Sequence, residues 1–224
     1  MDFLNTSNVK GRVRAHNVQL KCEDAASPVA ACSQGVMLSE LAKDPQNDPC
    51  SQFSNELWLP RGDFKSNYIL YQWAQIASKL FTTGSSNYRI GGMYLEFENG
   101  TTPGSVTAPS FDRTRTVQYY DDLSGSSVRD YLRVPLTATQ ILSEGTGLTD
   151  NQILFFARSS GTSGVHGKSF STGSVIFGAS LVAFVDDNDA TQDLIFSSFY
   201  FDTADQQDKL ATSQVGIEWE LTLQ

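Results

Sequence analysis

The chain has 224 residues, of which 40% are hydrophobic and 18% charged, and its 25 acidic and 16 basic residues leave a formal net charge of −9. That length can bury one sizeable core, and 14 Phe, 8 Tyr and 3 Trp supply apolar area that a disordered chain or a charge-rich helical bundle lacks. An acidic chain without a run of Lys and Arg argues against nucleic acid and anionic membranes, and no stretch reaches the roughly 18 apolar residues of a membrane span.

Residues 1–60 read as an irregular arm. Met1 to Asn8 lack the basic region and apolar core of a signal peptide, so a cytosol-like compartment is expected. Lys10, Arg12, Arg14 and Lys21, with His16 among them, read as a solvated arm, and Asn17–Lys21 as a short strand. Val36–Lys43 reads as about two helical turns, before the turn-formers Asp44 to Pro49. Cys22, Cys32 and Cys50 form no C-x-x-C pair and, with His16, match no standard zinc spacing, so reduced structural thiols and no metal are expected. The sequons at Asn5 and Asn99 are chance matches in a chain without an export signal, and so is Arg61-Gly62-Asp63.

Residues 61–86 form a helix and linker. Ile69, Leu70, Trp73, Ile76, Ala77 and Leu80 follow a helical stripe that predicts a helix over 67–81, with Ser66 as N-cap and Thr82-Thr83-Gly84 as the stop. From residue 87 the period changes to two. Strands are expected near 88–98, 115–120, 128–134, 152–158, 174–185, 194–202 and 214–223, with the span 137–151 ambiguous and Ala138–Leu142 a possible helical turn. In the last strand Ile217, Trp219, Leu221 and Leu223 point one way and Glu218, Glu220 and Thr222 the other. Gly-, Pro- and Ser-rich turns separate these strands, and the pattern predicts an all-β sandwich or jelly roll over 87–224.

Little in this pattern suits catalysis. Gly161 to Ser169 resembles a phosphate loop but has the wrong glycine spacing and leads into a strand rather than a helix. The two histidines, His16 and His166, lie in the arm and in a long loop, a poor basis for acyl transfer. Glu96 with Glu98, and Glu218 with Glu220, read as solvated faces of amphipathic strands rather than glycosidase pairs. Asp186, Asp187, Asp189 and Asp193 read as an acidic turn rather than a Ca²⁺ loop. Tyr119, Tyr120 and Tyr131 are candidate exposed aromatics for a protein interface or for stacking on a sugar, with Trp58 and the loop residues His166 and Lys168 as further interface candidates.

The stretch Asn87 to Asn99, Asn-Tyr-Arg-Ile-Gly-Gly-Met-Tyr-Leu-Glu-Phe-Glu-Asn, resembles structural proteins of tailed-bacteriophage virions, as does the run from Tyr119-Tyr120-Asp121-Asp122-Leu123 through Arg129 to Leu136. That resemblance implies a non-enzymatic virion component, built of strands and assembled in many copies in the host cytoplasm. No site residue transfers from it. The reading is a homo-oligomeric ring subunit of the neck, tail or baseplate, in contact with itself and other virion proteins and without cofactor. The arm and the 159–173 loop are expected to make its contacts. The alternatives are a head-decoration protein and a glycan-binding module for host recognition.

Overall fold

The computed structural model describes residues 9–20, 56–82, 89–136, 141–142, 151–158, 173–184, 189–208 and 214–223. In chain order these form β1 (Val9–Leu20), β2 (Glu56–Ser66), β3 (Tyr68–Ile69), α1 (Gln72–Thr82), β4 (Arg89–Asn99), α2 (Val117–Ser124) and β5 (Arg129–Pro135). There follow β6 (Ile141–Leu142), β7 (Gln152–Arg158), β8 (Ser174–Phe184), β9 (Leu194–Tyr200), β10 (Gln207–Asp208) and β11 (Gln214–Leu223). Two antiparallel sheets result. Sheet A runs β2-β1-β11-β7-β6; sheet B runs β3-β9-β8-β4-β5, with β10 beside the start of β8.

The period-two pattern explains the layer between them. Val13 and Ala15 of β1, Phe155 and Ala157 of β7, and Ile217, Trp219 and Leu221 of β11 project from sheet A. They meet Met93, Leu95 and Phe97 of β4, Leu132 and Val134 of β5, and Leu181 and Ala183 of β8. Closure of this layer is the main driving force of the fold, at about 25 cal/mol per Å² of apolar surface removed from water. The all-β sandwich expected from the alternation is present, and six of the seven expected strands correspond to β4, β5, β7, β8, β9 and β11.

Four local expectations are corrected. Residues 9–20 are no part of an arm: β1 lies between β2 and β11, in continuous register with β11 from Val9↔Leu223 to Val18↔Gln214. The sandwich thus begins well before residue 87, because β1 contributes Val9, Val13 and Ala15 to the core. The helix starts at Gln72 rather than 67, because Tyr68 and Ile69 pair with Ser198 and Ser197 along β9, and Ser66 ends β2 instead of capping a helix. Residues 117–124 form helix α2 in place of a strand, since Val117, Tyr120 and Leu123 at helical spacing pack onto the outer face of sheet B. Ile141 and Leu142, in the span left ambiguous with a helical turn as one option, pair with Phe155 and Leu154 as β6.

α1 lies on β9, with Trp73 edge-on to Phe196 at 5.4 Å and Ile76 in the core. Its first residue completes a bulge. β9 shifts register between Ile195 and Ser197, and the Gln72 side chain accepts the Ile195 N–H at 2.8 Å. A second bulge in β8 at Phe177 moves the inward positions from Ile176 to Ala179, Leu181 and Ala183.

Candidate functional site

Sheet B is buried on both faces. Residues 101–128, hereafter the cover, cross its outer side. Gln206 clamps the start of the cover, accepting the Gly104 N–H at 2.9 Å and donating to the Val106 carbonyl at 2.5 Å. Val106 and Ala108 then pack on Val175 and Phe177, and α2 packs on Tyr94, Tyr131, Val182 and Ile195. The strand residues beneath are therefore polar without being wet.

Two networks lie under the cover. In the first, Arg133 forks onto Asp193 with its Nε at 2.8 Å and Nη2 at 3.0 Å, and the Tyr94 hydroxyl donates to the same carboxylate. Burial and the Asp193 charge raise the Tyr94 hydroxyl far above its ordinary range, which keeps it a donor. Tyr120 bonds Ser180, which in turn bonds Ser198 at 2.7 Å.

In the second, Arg115 reaches down from the segment before α2. Its Nη2 donates to the Ser110 carbonyl at 3.0 Å, and its guanidinium lies 4.0 Å from the Tyr119 ring and 4.9 Å from that of Tyr200. Glu96 sits below, with its Oε1 3.7 Å from Arg115 and its Oε2 accepting the Tyr119 hydroxyl at 3.2 Å. Burial pushes the Glu96 carboxyl up to about 7, against the opposing pull of Arg115 and of the Tyr120 and Tyr119 hydroxyls. Glu98, one step along β4, binds Arg129 at 2.7 Å.

The outer face of sheet A carries a charge ladder. Arg12 meets Glu220 at 2.7 Å, and Glu218 takes Arg14 at 2.9 Å and His16 at 2.8 Å. Phe64 lies under both guanidinium groups, 4.3 Å from that of Arg12 and 4.0 Å from that of Arg14. Burial alone would raise the Glu218 carboxyl, but His16 and Arg14 hold it below its ordinary value.

These arrangements correct the sequence reading at several residues. Glu96, Glu218 and Glu220 are buried rather than solvated, and Glu98 is half-buried. Tyr120 and Tyr131 are fully buried and Tyr119 is half-buried, so none of the three is an exposed platform. The cover, which no alternation pattern announced, is the reason. Trp58 lies in β2 opposite Val18. His166, Lys168, the phosphate-loop lookalike and the three cysteines lie outside the described residues. Asp186 and Asp187 do too, whereas Asp189 shapes a turn by accepting the Thr191 N–H and hydroxyl at 2.9 and 2.7 Å. Arg61, Gly62 and Asp63 are exposed on a bulge of β2, with Gly62 at φ 86°.

The roles missed from sequence are those of Arg115 in the cover, Arg133 in β5 and Asp193 just before β9, and of Arg12, Arg14 and His16 as the β1 partners of Glu220 and Glu218. The ladder had a signal: Arg12, Arg14 and His16 at every second position complement Glu218 and Glu220 at the same spacing. Among the described residues no three His, Cys, Asp or Glu side chains converge as a metal site, and no helix is long and apolar enough to cross a membrane.

Fold and site together define a β-sandwich whose outer faces are stitched by internal ion pairs. No protein-family model, curated protein or solved structure matches this chain.

Proposed function

We propose that the chain is a non-enzymatic structural subunit of a tailed-phage particle, built into the neck, tail or baseplate in many copies during assembly in the host cytoplasm. The observation that carries this reading is the use made of the strand carboxylates. Glu98, Glu218 and Glu220 each bind an arginine of the same chain, which suits a rigid building block better than acid–base chemistry. The resemblance to virion proteins falls on β4, β5 and part of the cover, which form the networks of sheet B but not the ladder of sheet A.

Contacts between copies are assigned to side-chain surfaces rather than to strand addition. The β2 edge carries Pro60 and a bulge, and at the β5 edge the Arg129 and Tyr131 N–H groups are taken by Ser126 and Asp130 side chains at 3.1 and 2.8 Å. Tyr68 and Tyr71, 45% and 46% exposed at the β3 edge, replace the buried tyrosines as the candidate aromatic contact. Light scattering behind size exclusion, at several concentrations, tests the proposal. A discrete ring-sized mass that Tyr68→Ala/Tyr71→Ala lowers is expected. A strict monomer at every concentration overturns the ring, and binding of that monomer to preformed heads would make it a decoration protein.

A further inference from the structure

One ionisable pair between the cover and sheet B is left incomplete. Glu96 is wholly buried at the middle of β4, beneath the cover. Arg115 stands 3.7 Å away, beyond hydrogen-bonding reach, and neither Glu96 Oε1 nor Arg115 Nη1 has a hydrogen-bond partner. The help Glu96 does get is a 3.2 Å hydrogen bond to its Oε2 from Tyr119 and a weaker pull from the Tyr120 hydroxyl, which is shared with Ser180. A buried carboxylate with one oxygen unpartnered and its countercharge 3.7 Å away is poorly compensated, and a proton on Oε1 lowers the cost of burying it. An open groove of about 360 Å³, walled by Arg115 and Tyr119, lies beside the pair.

We infer that Glu96 and Arg115 form a pH-sensitive latch between the cover and sheet B, closed when Glu96 is protonated and loosened when it ionises. The groups facing Glu96 are Arg115 from the segment before α2, Tyr119 and Tyr120 from α2, and Arg129 from β5. On the side of β9, Tyr200 places its hydroxyl 3.4 Å from that of Tyr119. None of these reaches Oε1: Arg129 is held by Glu98 at 2.7 Å and the Thr107 carbonyl at 2.8 Å, and Tyr120 divides its hydroxyl between Glu96 and Ser180. Burial outweighs them and lifts the Glu96 carboxyl to about 7. The closed cover thus holds the proton more tightly than an opened, solvated one. Its closure is strongest below the ordinary carboxylate range and weakens as pH rises through about 7. Opening presents Tyr94, Tyr120 and Tyr131, so the latch couples pH to the availability of that layer.

Amide hydrogen exchange on the full chain reads the latch directly. After correction for intrinsic rates, the opening constant of peptides in the cover is expected to rise about tenfold from pH 6 to pH 8. Glu96→Gln is expected to keep the low-pH protection at both values. Equal protection of the wild-type cover at both pH values overturns the inference, as does an unchanged pH dependence in Glu96→Gln. If that variant does not fold, the Glu96 carboxyl carbon of the wild type, followed by ¹³C NMR, decides. A midpoint near 7 supports the latch; one at the ordinary carboxylate value removes it.

Discussion

Arg133 and Asp193 meet under the cover with no exposed surface on either side chain. Such a pair is expensive to break because the survivor is left as a buried, uncompensated charge. Asp193→Ala is expected to cost about 3–5 kcal/mol, whereas Arg133→Met/Asp193→Leu should recover much of that loss, both read from urea denaturation midpoints. A failure of the double variant to improve on the single one would show that the pair has a role beyond mutual neutralisation. Glu218 titrates with the opposite sign to Glu96. Because His16 and Arg14 hold its carboxyl below the ordinary value near 4.5, its contribution is present above that value and lost as pH falls through the depressed one. The wild-type urea midpoint should fall on acidification below about pH 4.5, and Glu218→Gln should flatten that limb. An equally steep acid limb in the variant would assign it to other carboxylates.

Elements in this protein are shaped where they meet. The β8 bulge brings Gly178 against Tyr200, and a Cβ at that position would stand 2.6 Å from Cδ1 of the ring. Gly178→Ala should therefore destabilise by about 1–3 kcal/mol, and less so in a Tyr200→Ala background, because the clash is with that ring. Equal losses in the two backgrounds would place the strain in the backbone instead. β1 has a larger part. It bridges β2 to β11 and supplies one side of the charge ladder. Deleting residues 1–20 is expected to abolish cooperative unfolding and the native β circular dichroism, whereas loss of a mere arm would leave both intact.

For the molecule as a whole, the two sheets present different outer faces. Sheet A carries a paired ladder that is largely buried and reaches solvent at Arg12. Sheet B hides its polar residues under the cover and, among the described residues, exposes aromatic surface where Tyr68 stacks on Phe111 at 4.0 Å, beside Tyr71. With both long edges blunted, growth by strand pairing is disfavoured and a side-chain-mediated ring is the expected assembly. The prediction at this scale is a mass insensitive to Pro60→Val but sensitive to change at Tyr68 and Tyr71.

How much of this was legible follows from what each signal depends on. Alternation is a property of neighbouring residues in one strand, so β4, β5, β7, β8, β9 and β11 could be read from the chain, as could the inward set Ile217, Trp219 and Leu221. Alternation also names two faces without saying what lies on the second one. Glu96 and Glu218 look alike in sequence, each polar between apolar neighbours, and both were read as wet. Only the tertiary structure set α2 over one and β1 beside the other, turning two apparently solvated carboxylates into buried groups shifted in opposite directions. The same non-local pairing drew residues 9–20 into the sheet and Tyr68–Ile69 out of the expected helix, because an open sheet edge leaves backbone donors and acceptors that a strand satisfies and a solvated arm does not. Local period decided which residues alternate; the partner across the sheet decided which of them carry charge in the dark.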